Sequence, residues 1–264
     1  MKIAIIGAGH MGGSIARGLS KSGIVSNEEI CCTATTTRTL DKIRADYPQF
    51  FLTTDNVEAV KWADIIMLVV KPWLMEEVVT QIKPYIDRKR HQIVSVAATI
   101  TIAQLTEWFP DNLFADMPLY RIVPNLAVEV GEGVTVITPS RATEEQQEAL
   151  LKVFRAMGCT LVLEERLIPA ATSLTSCGLA FAMRYIQAAA SGSVELGLYP
   201  KQARELAIQT VIGAAKLLAA NGLHPEEAID EVTTPGGLTI KGLHAMEQEG
   251  FSSAVLEGLK KSMA

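Results

Sequence analysis

A chain of 264 residues, 48% hydrophobic and 20% charged, holds enough apolar material for one large domain or two without disulfide staples. Its net charge of −5, with no basic block, argues against an electrostatic footprint for nucleic acid, and no apolar stretch is long and clean enough to span a bilayer. The four cysteines (Cys31, Cys32, Cys159, Cys177) show neither CxxC nor metal-ligand spacing and the four histidines form no cluster, so buried, reduced thiols in a cytoplasmic protein and no bound metal are expected.

The chain opens on a short apolar run, Ile3 to Ile6, that passes into Gly7-Ala8-Gly9-His10-Met11-Gly12. The run reads as a strand rather than an export signal, because no cleavage site follows. Gly7, Gly9 and Gly12 stand at the spacing of the dinucleotide-binding fingerprint, and each has a mechanical task. Gly7 permits the tight turn, Gly9 lets a pyrophosphate approach the backbone, and Gly12 lets the following helix pack close to the strand. The helix starting near Met11 would turn its unpaired N–H groups and positive end toward the phosphates, with His10 beside them or in solvent.

Strand-like runs follow at Ile30 to Thr33, Ile65 to Val70, Ile93 to Val96, Arg121 to Val123, Val134 to Ile137 and Thr160 to Leu163. Helical patterns lie between them, including Thr39 to Asp46, Ala103 to Phe109 and Glu144 to Met157. Continuous apolar strands alternating with helices fit a parallel sheet covered on both faces. After Leu163 the pattern becomes helical throughout: Ala170 to Leu196, Lys201 to Ala220, Pro225 to Glu231, Leu238 to Glu249 and Ser252 to Lys261. Residues 180–190 are apolar nearly all round, which asks for burial in a core or against another subunit. The expected fold is α/β: a Rossmann-type domain over residues 1–163 and an all-helical domain over 164–264.

The second strand ends in Cys31-Cys32-Thr33-Ala34-Thr35-Thr36-Thr37-Arg38, with no acid to bond a ribose 2′-hydroxyl. Hydroxyls of Thr35 and Thr36 and the Arg38 guanidinium suit a 2′-phosphate, so NADP is favoured, with NAD still possible. The same threonines could simply cap the helix and leave Arg38 solvated.

A second signature runs from Asp230 to Glu247 and contains Thr233-Thr234-Pro235-Gly236-Gly237-Leu238-Thr239. A Pro-Gly-Gly turn opening a helix leaves backbone N–H groups bare, and the Thr234 and Thr239 hydroxyls add short donors, as a small carboxylate requires. Taken alone it could be an ordinary capped helix. Together with Ile6-Gly7-Ala8-Gly9-His10-Met11-Gly12, Asn56, Val70-Lys71-Pro72, Ser95-Val96-Ala97-Ala98 and Val123-Pro124-Asn125, in this order over nearly the full chain, it resembles the pyrroline-5-carboxylate reductase family.

The resemblance implies an NAD(P)H-dependent reductase that makes L-proline, with a helical dimerisation domain and a homodimer or a ring of dimers. By it, Asn56 approaches the adenosine, Val70, Lys71 and Pro72 line the loop beside the cofactor, and Ala97 and Ala98 lie near the nicotinamide. Thr234, Gly236, Gly237 and Thr239 would hold the substrate carboxylate, with the Thr239 hydroxyl nearest the ring nitrogen. Two segments depart from the family pattern: Val123 replaces a Met, and Cys177-Gly178-Leu179-Ala180 stands in place of Ser-Gly-Pro-Ala.

No strong acid is evident to protonate the imine; His244 is a candidate donor, a packed residue otherwise. Catalysis would then rest on positioning. A β-hydroxyacid dehydrogenase is the nearest rival, but its catalytic lysine has no counterpart here: the helix from Ala170 carries Arg184 and no lysine before Lys201. A non-catalytic NADP-binding sensor is the rival from another class, because fold does not imply function.

Overall fold

The computed structural model describes residues 1–263. Strand and helix alternate from the start: β1 (Ile3–Ile6), α1 (His10–Ser22), β2 (Ile30–Thr33), α2 (Thr37–Asp46), β3 (Phe51–Thr53), α3 (Asn56–Trp62), β4 (Ile65–Leu68), α4 (Met75–Ile82), β5 (Gln92–Ser95), α5 (Ile102–Trp108), α6 (Asp111–Phe114), β6 (Leu119–Pro124), β7 (Gly133–Ser140), α7 (Glu144–Arg155) and β8 (Gly158–Val162). The strands form one sheet in the order β3-β2-β1-β4-β5-β6-β7-β8. The chain divides into two compact units, Met1–Ser176 and Cys177–Ala264. The shift to helical composition comes earlier, after Leu163, because the first unit closes with the short helix α8 (Ile168–Thr172).

The continuous apolar strands have the expected cause. In β1, Ile3 and Ile5 point to one face and pack with Ile15 and Leu19 of α1 and Leu150 and Phe154 of α7. Ala4 and Ile6 point to the other face and pack with Val60 of α3, Val79 and Ile82 of α4 and Leu105 of α5. With side chains alternating across the sheet, two covered faces demand an apolar residue at every position.

Three features differ from the sequence reading. The sheet is parallel except where β7 runs antiparallel to β6. The connection 125–132 between them is shorter than the dozen or so residues that a parallel crossover needs. Strand β3 and helices α3, α4 and α6 are additional elements; β3 has only three residues, all half-buried at the sheet edge, too short to show a pattern. The single helix expected over Ala170–Leu196 is broken: α8 is followed by one π-helical turn, Ser173–Cys177, before α9 (Gly178–Glu195). A π-turn inserts a residue and frees a carbonyl. The Asn125 side chain meets that need, its Nδ2 donating to Thr175 O at 2.9 Å.

The second unit consists of α9, α10 (Pro200–Asn221), α11 (Pro225–Glu231), α12 (Leu238–Gln248) and α13 (Phe251–Lys261). Helices α9 and α10 meet through small residues, Ala190, Ala203 and Ala207. In α9 only Ala190 is buried, and α11, α12 and α13 bury none of their residues. Within one chain, therefore, the apolar segment 180–190 lacks the core expected for it. Leu196 and Leu238 are 88% and 86% exposed. Among the described residues, no single helix is long and apolar enough to cross a membrane.

Candidate dinucleotide and carboxylate sites

Strand β1 hydrogen-bonds to β2 on one side and β4 on the other, so the crevice between the carboxyl ends of β1 and β4 is the topological switch point. The glycine turn sits there. Gly7 has φ +101°, a conformation that favours glycine, and a Cβ on it would come within 2.8 Å of Val69 O in the loop after β4. Gly12 lies against Gly7 O, so any side chain there would push α1 off the strand. Gly9 is the N-cap of α1, and a Cβ on it would meet no heavy atom within 4 Å. The helix starts at His10, with His10 exposed and Met11 half-buried, so its unpaired N–H groups border open space. These residues fit a diphosphate.

The end of β2 is tied to this turn. Thr33 Oγ1 accepts from Gly7 N at 3.2 Å and donates to Asn56 Oδ1 at 2.7 Å. Asn56, the first residue of α3, donates from Nδ2 to Gln81 Oε1 at 3.0 Å. Thr35, Thr36 and Arg38 are exposed together at the start of α2. Thr36 occupies the N-cap position without a side-chain capping bond; its hydroxyl lies 3.2 Å from that of Thr39. The first turn of α2 contains no acid.

Beyond β4, Val70 and Pro72 are half-buried and Lys71 is exposed, with Pro72 opening a short 3-10 turn. Beyond β5, Ala97 is buried and Ala98 half-buried. Two charged residues that the sequence reading did not single out stand next to them. Arg121 of β6 is buried; its Nη2 donates to Ala98 O and its Nη1 to Glu165 Oε1 at 2.7 Å. The signal was present in the sequence, an arginine at the head of an apolar strand run.

The second set of predicted residues lies in the helical unit. Gly237 is the N-cap of α12 and donates its N–H to Thr234 O at 2.9 Å, while Gly236 has φ +71°. A Cβ on Gly237 would overlap Thr234 Oγ1. Thr234 and Thr239 are exposed, and the first turn of α12 has no acid and no side-chain cap. The helix start is thus bare rather than ordinarily capped. His244, in the body of α12, is exposed and not packed. Among the described residues no group of three or more His, Cys, Asp or Glu could hold a metal ion.

The thiols divide. Cys31 and Cys32 are buried on opposite faces of the sheet, and burial raises both, Cys32 to about 12. Cys159 is exposed and Cys177 half-buried, contrary to the expectation that all four are buried. Cys159 lies on β8, the edge of the sheet, where one side has no neighbouring strand.

Residues 165–264 match the family described as pyrroline-5-carboxylate reductase dimerisation, and residues 2–99 that described as NADP oxidoreductase, coenzyme F420-dependent. A pyrroline-5-carboxylate reductase of Dictyostelium discoideum is 37% identical over 98% of this chain and 90% of its own. That of Methanosarcina acetivorans is 36% identical over 98% of this chain and 94% of its own. The chain belongs to the pyrroline-5-carboxylate reductase family. The fold agrees: a Plasmodium falciparum pyrroline carboxylate reductase solved with NADP bound superposes with a TM-score of 0.87, at 22% identity, over 100% of this chain and 95% of that one.

Within this reductase family framework the two sequence departures acquire places. Val123 is a core residue, packed with Val136 and Ile168 and flanked by Ala98. Cys177 closes the π-helical turn and Gly178 begins α9, so the second departure coincides with a change of helical winding.

Proposed function

We propose that this chain reduces 1-pyrroline-5-carboxylate to L-proline using NADPH, the last step in making that amino acid. The observation that carries this reading is the bare, acid-free start of α12, with Thr234, Gly236, Gly237 and Thr239, in a chain that is similar over 98% of its length to named reductases of this imine. We assign the dinucleotide to residues 1–163 and the substrate and subunit contacts to 164–264.

When bound, NADPH supplies the hydride that the C=N carbon accepts. The protein's share is binding and orientation. The backbone around Gly7, Gly9 and Gly12 receives the diphosphate, with His10 and Met11 at the same helix start. Thr35, Thr36 and Arg38 receive the 2′-phosphate, a fit supported by the lack of acid in the first turn of α2. Asn56, held by Thr33 and Gln81, borders the adenosine, and Val70, Lys71, Pro72, Ala97 and Ala98 line the remaining length. The N–H groups at the start of α12 hold the substrate carboxylate, and the Thr239 hydroxyl sits at the ring nitrogen, where it passes on a proton taken from water. The chain acts as a homodimer or a ring of dimers, in the cytoplasm, where the Cys31 and Cys32 thiols stay reduced.

The deciding assay follows NADPH absorbance with 1-pyrroline-5-carboxylate and then with the six-membered analogue. Oxidation of NADPH with the five-membered ring is expected; none with either ring overturns the assignment. Thr239→Ala should lower kcat/KM by roughly one to two decades, the cost of a lost polar contact in a closed site. Unchanged kinetics would remove Thr239 from the mechanism.

A further inference from the structure

The loop after β5 is held at both of its ends by one ion pair, its arginine buried and its carboxylate half-buried. Arg121 projects from β6, where it lies beside Ser95 at the end of β5. Its Nη2 donates to Ala98 O, at the start of the loop. Its Nη1 donates to Glu165 Oε1 at 2.7 Å, and that same oxygen accepts the Ile102 N–H at 2.7 Å, at the far end of the loop where α5 begins. The Arg121 side chain is 7% exposed and that of Glu165 is 34% exposed. Arg121 Nε is buried and makes no hydrogen bond.

A pair of this kind is a weak source of stability, because the desolvation of the buried Arg121 offsets much of the attraction and solvent screens the half-buried Glu165. Apolar residues of the same size would fill the space more cheaply. What the pair supplies is direction. An arginine fork reaches two acceptors at fixed angles, and the loop between Ala98 and Ile102 therefore cannot shift without breaking charged hydrogen bonds. The orphaned Nε is consistent with a guanidinium placed by these two acceptors rather than by full satisfaction of its own donors.

We propose that Arg121 and Glu165 are positioning residues for the reduction: they fix the height of the Ala97–Ala98 segment on which the nicotinamide rests. The proposal rests on the reductase reading above. It requires the pair to govern hydride transfer much more than attachment of the adenosine end, which lies at Thr35, Arg38 and Asn56.

The test uses the whole chain and a small set of variants. Glu165→Gln keeps the size and an acceptor oxygen but removes the charge. Arg121→Met removes the fork. Ile102→Pro deletes the loop's far N–H and trims an apolar side chain that packs on the core beneath it, a loss that Ile102→Val, which keeps the N–H, measures separately. Ile102 is the first residue of α5 and Thr101 before it is extended (φ −85°, ψ 162°), so proline suits the backbone there. Each is measured for kcat, KM for NADPH, binding of adenosine 2′,5′-bisphosphate and Tm. A misplaced reacting group costs up to about a hundredfold, so kcat is expected to fall by about ten- to a hundredfold in Glu165→Gln and Ile102→Pro, with adenosine bisphosphate binding within about twofold of the parent. Arg121→Lys should recover less than half of the loss seen in Arg121→Met, because an ammonium cannot reach both acceptors. A parallel loss of kcat and of adenosine bisphosphate binding overturns the proposal, as does a lowered Tm with unchanged kcat. If Arg121→Met fails to fold, Glu165→Gln and Ile102→Pro decide. A parent protein without reductase activity fails the functional reading instead, and is recognised before any variant is made.

Discussion

At the scale of single residues, steric exclusion is the strongest constraint. Gly12 touches Gly7 O, and any Cβ there separates α1 from β1. Gly12→Ala should cost about 1–3 kcal/mol, in line with other overpacked positions, and abolish measurable NADPH binding; thermal melts and fluorescence titration check both. Arg38 is exposed at the start of an α2 that carries no acid in its first turn. Arg38→Ala should raise KM for NADPH by about tenfold or more, the worth of a charged hydrogen bond, and leave KM for NADH unchanged. Equal effects on the two cofactors would return Arg38 to solvent. The glycine spacing was legible because each glycine answers a local backbone demand. The role of Arg121 is not legible in the sequence because its partners, Ala98 and Glu165, are distant along the chain, and no local pattern records such a meeting.

At the scale of elements, α1 is fastened to the turn at residues 126–130. Ser14 Oγ and Arg17 Nη2 both donate to Glu129 Oε2 at 2.8 Å, and Lys21 Nζ donates to Glu129 O at 3.2 Å. The Arg17 hydrogen bond, helped by that of Ser14 and opposed by desolvation, holds the Glu129 carboxyl down to about 2, from an ordinary 4.5. A carboxyl depressed in the folded state stabilises above its unfolded pKa, and that contribution is lost as pH falls through the folded value. The stability gap between wild type and Arg17→Met should therefore be full near neutrality and shrink between about pH 4.5 and 2, as denaturant melts at stepped pH would show. A gap that stays constant across this range would mean that Glu129 is not the partner that matters. The helix periodicity predicted α5 and α7 well, since their apolar residues recur at helical spacing. It could not foresee the π-turn at Ser173–Cys177, where Thr175 O accepts from Asn125 in the connection between β6 and β7.

At the scale of the whole molecule, the two units differ in how they are stabilised. The sheet unit buries two continuous apolar clusters, one on each face. The helical unit buries little beyond Ala190, Ala203 and Ala207, and leaves Tyr199, Leu206 and Leu238 exposed. A surface that apolar is unfavourable in water and marks a subunit contact. Light scattering should give the mass of a dimer or a multiple of it, and Tm should rise with protein concentration, because association favours the folded state. Leu206→Glu should lower the mass and melt the helical unit at lower temperature than the sheet unit. A monomer with an unaltered melt across concentration would contradict the dimer.

Sequence by itself determined the parts governed by short-range rules: the glycine turn and its helix, the apolar strands, the absence of acid after β2, and the Thr-Pro-Gly-Gly turn before α12. Each follows from sterics, periodicity or hydrogen-bond supply within a few residues. Tertiary structure decided the reversal of β7, the break between α8 and α9, and the clamp of Arg121 and Glu165 on the loop after β5. These depend on groups brought together from far along the chain, where burial, not local preference, sets which polar atoms must find one another.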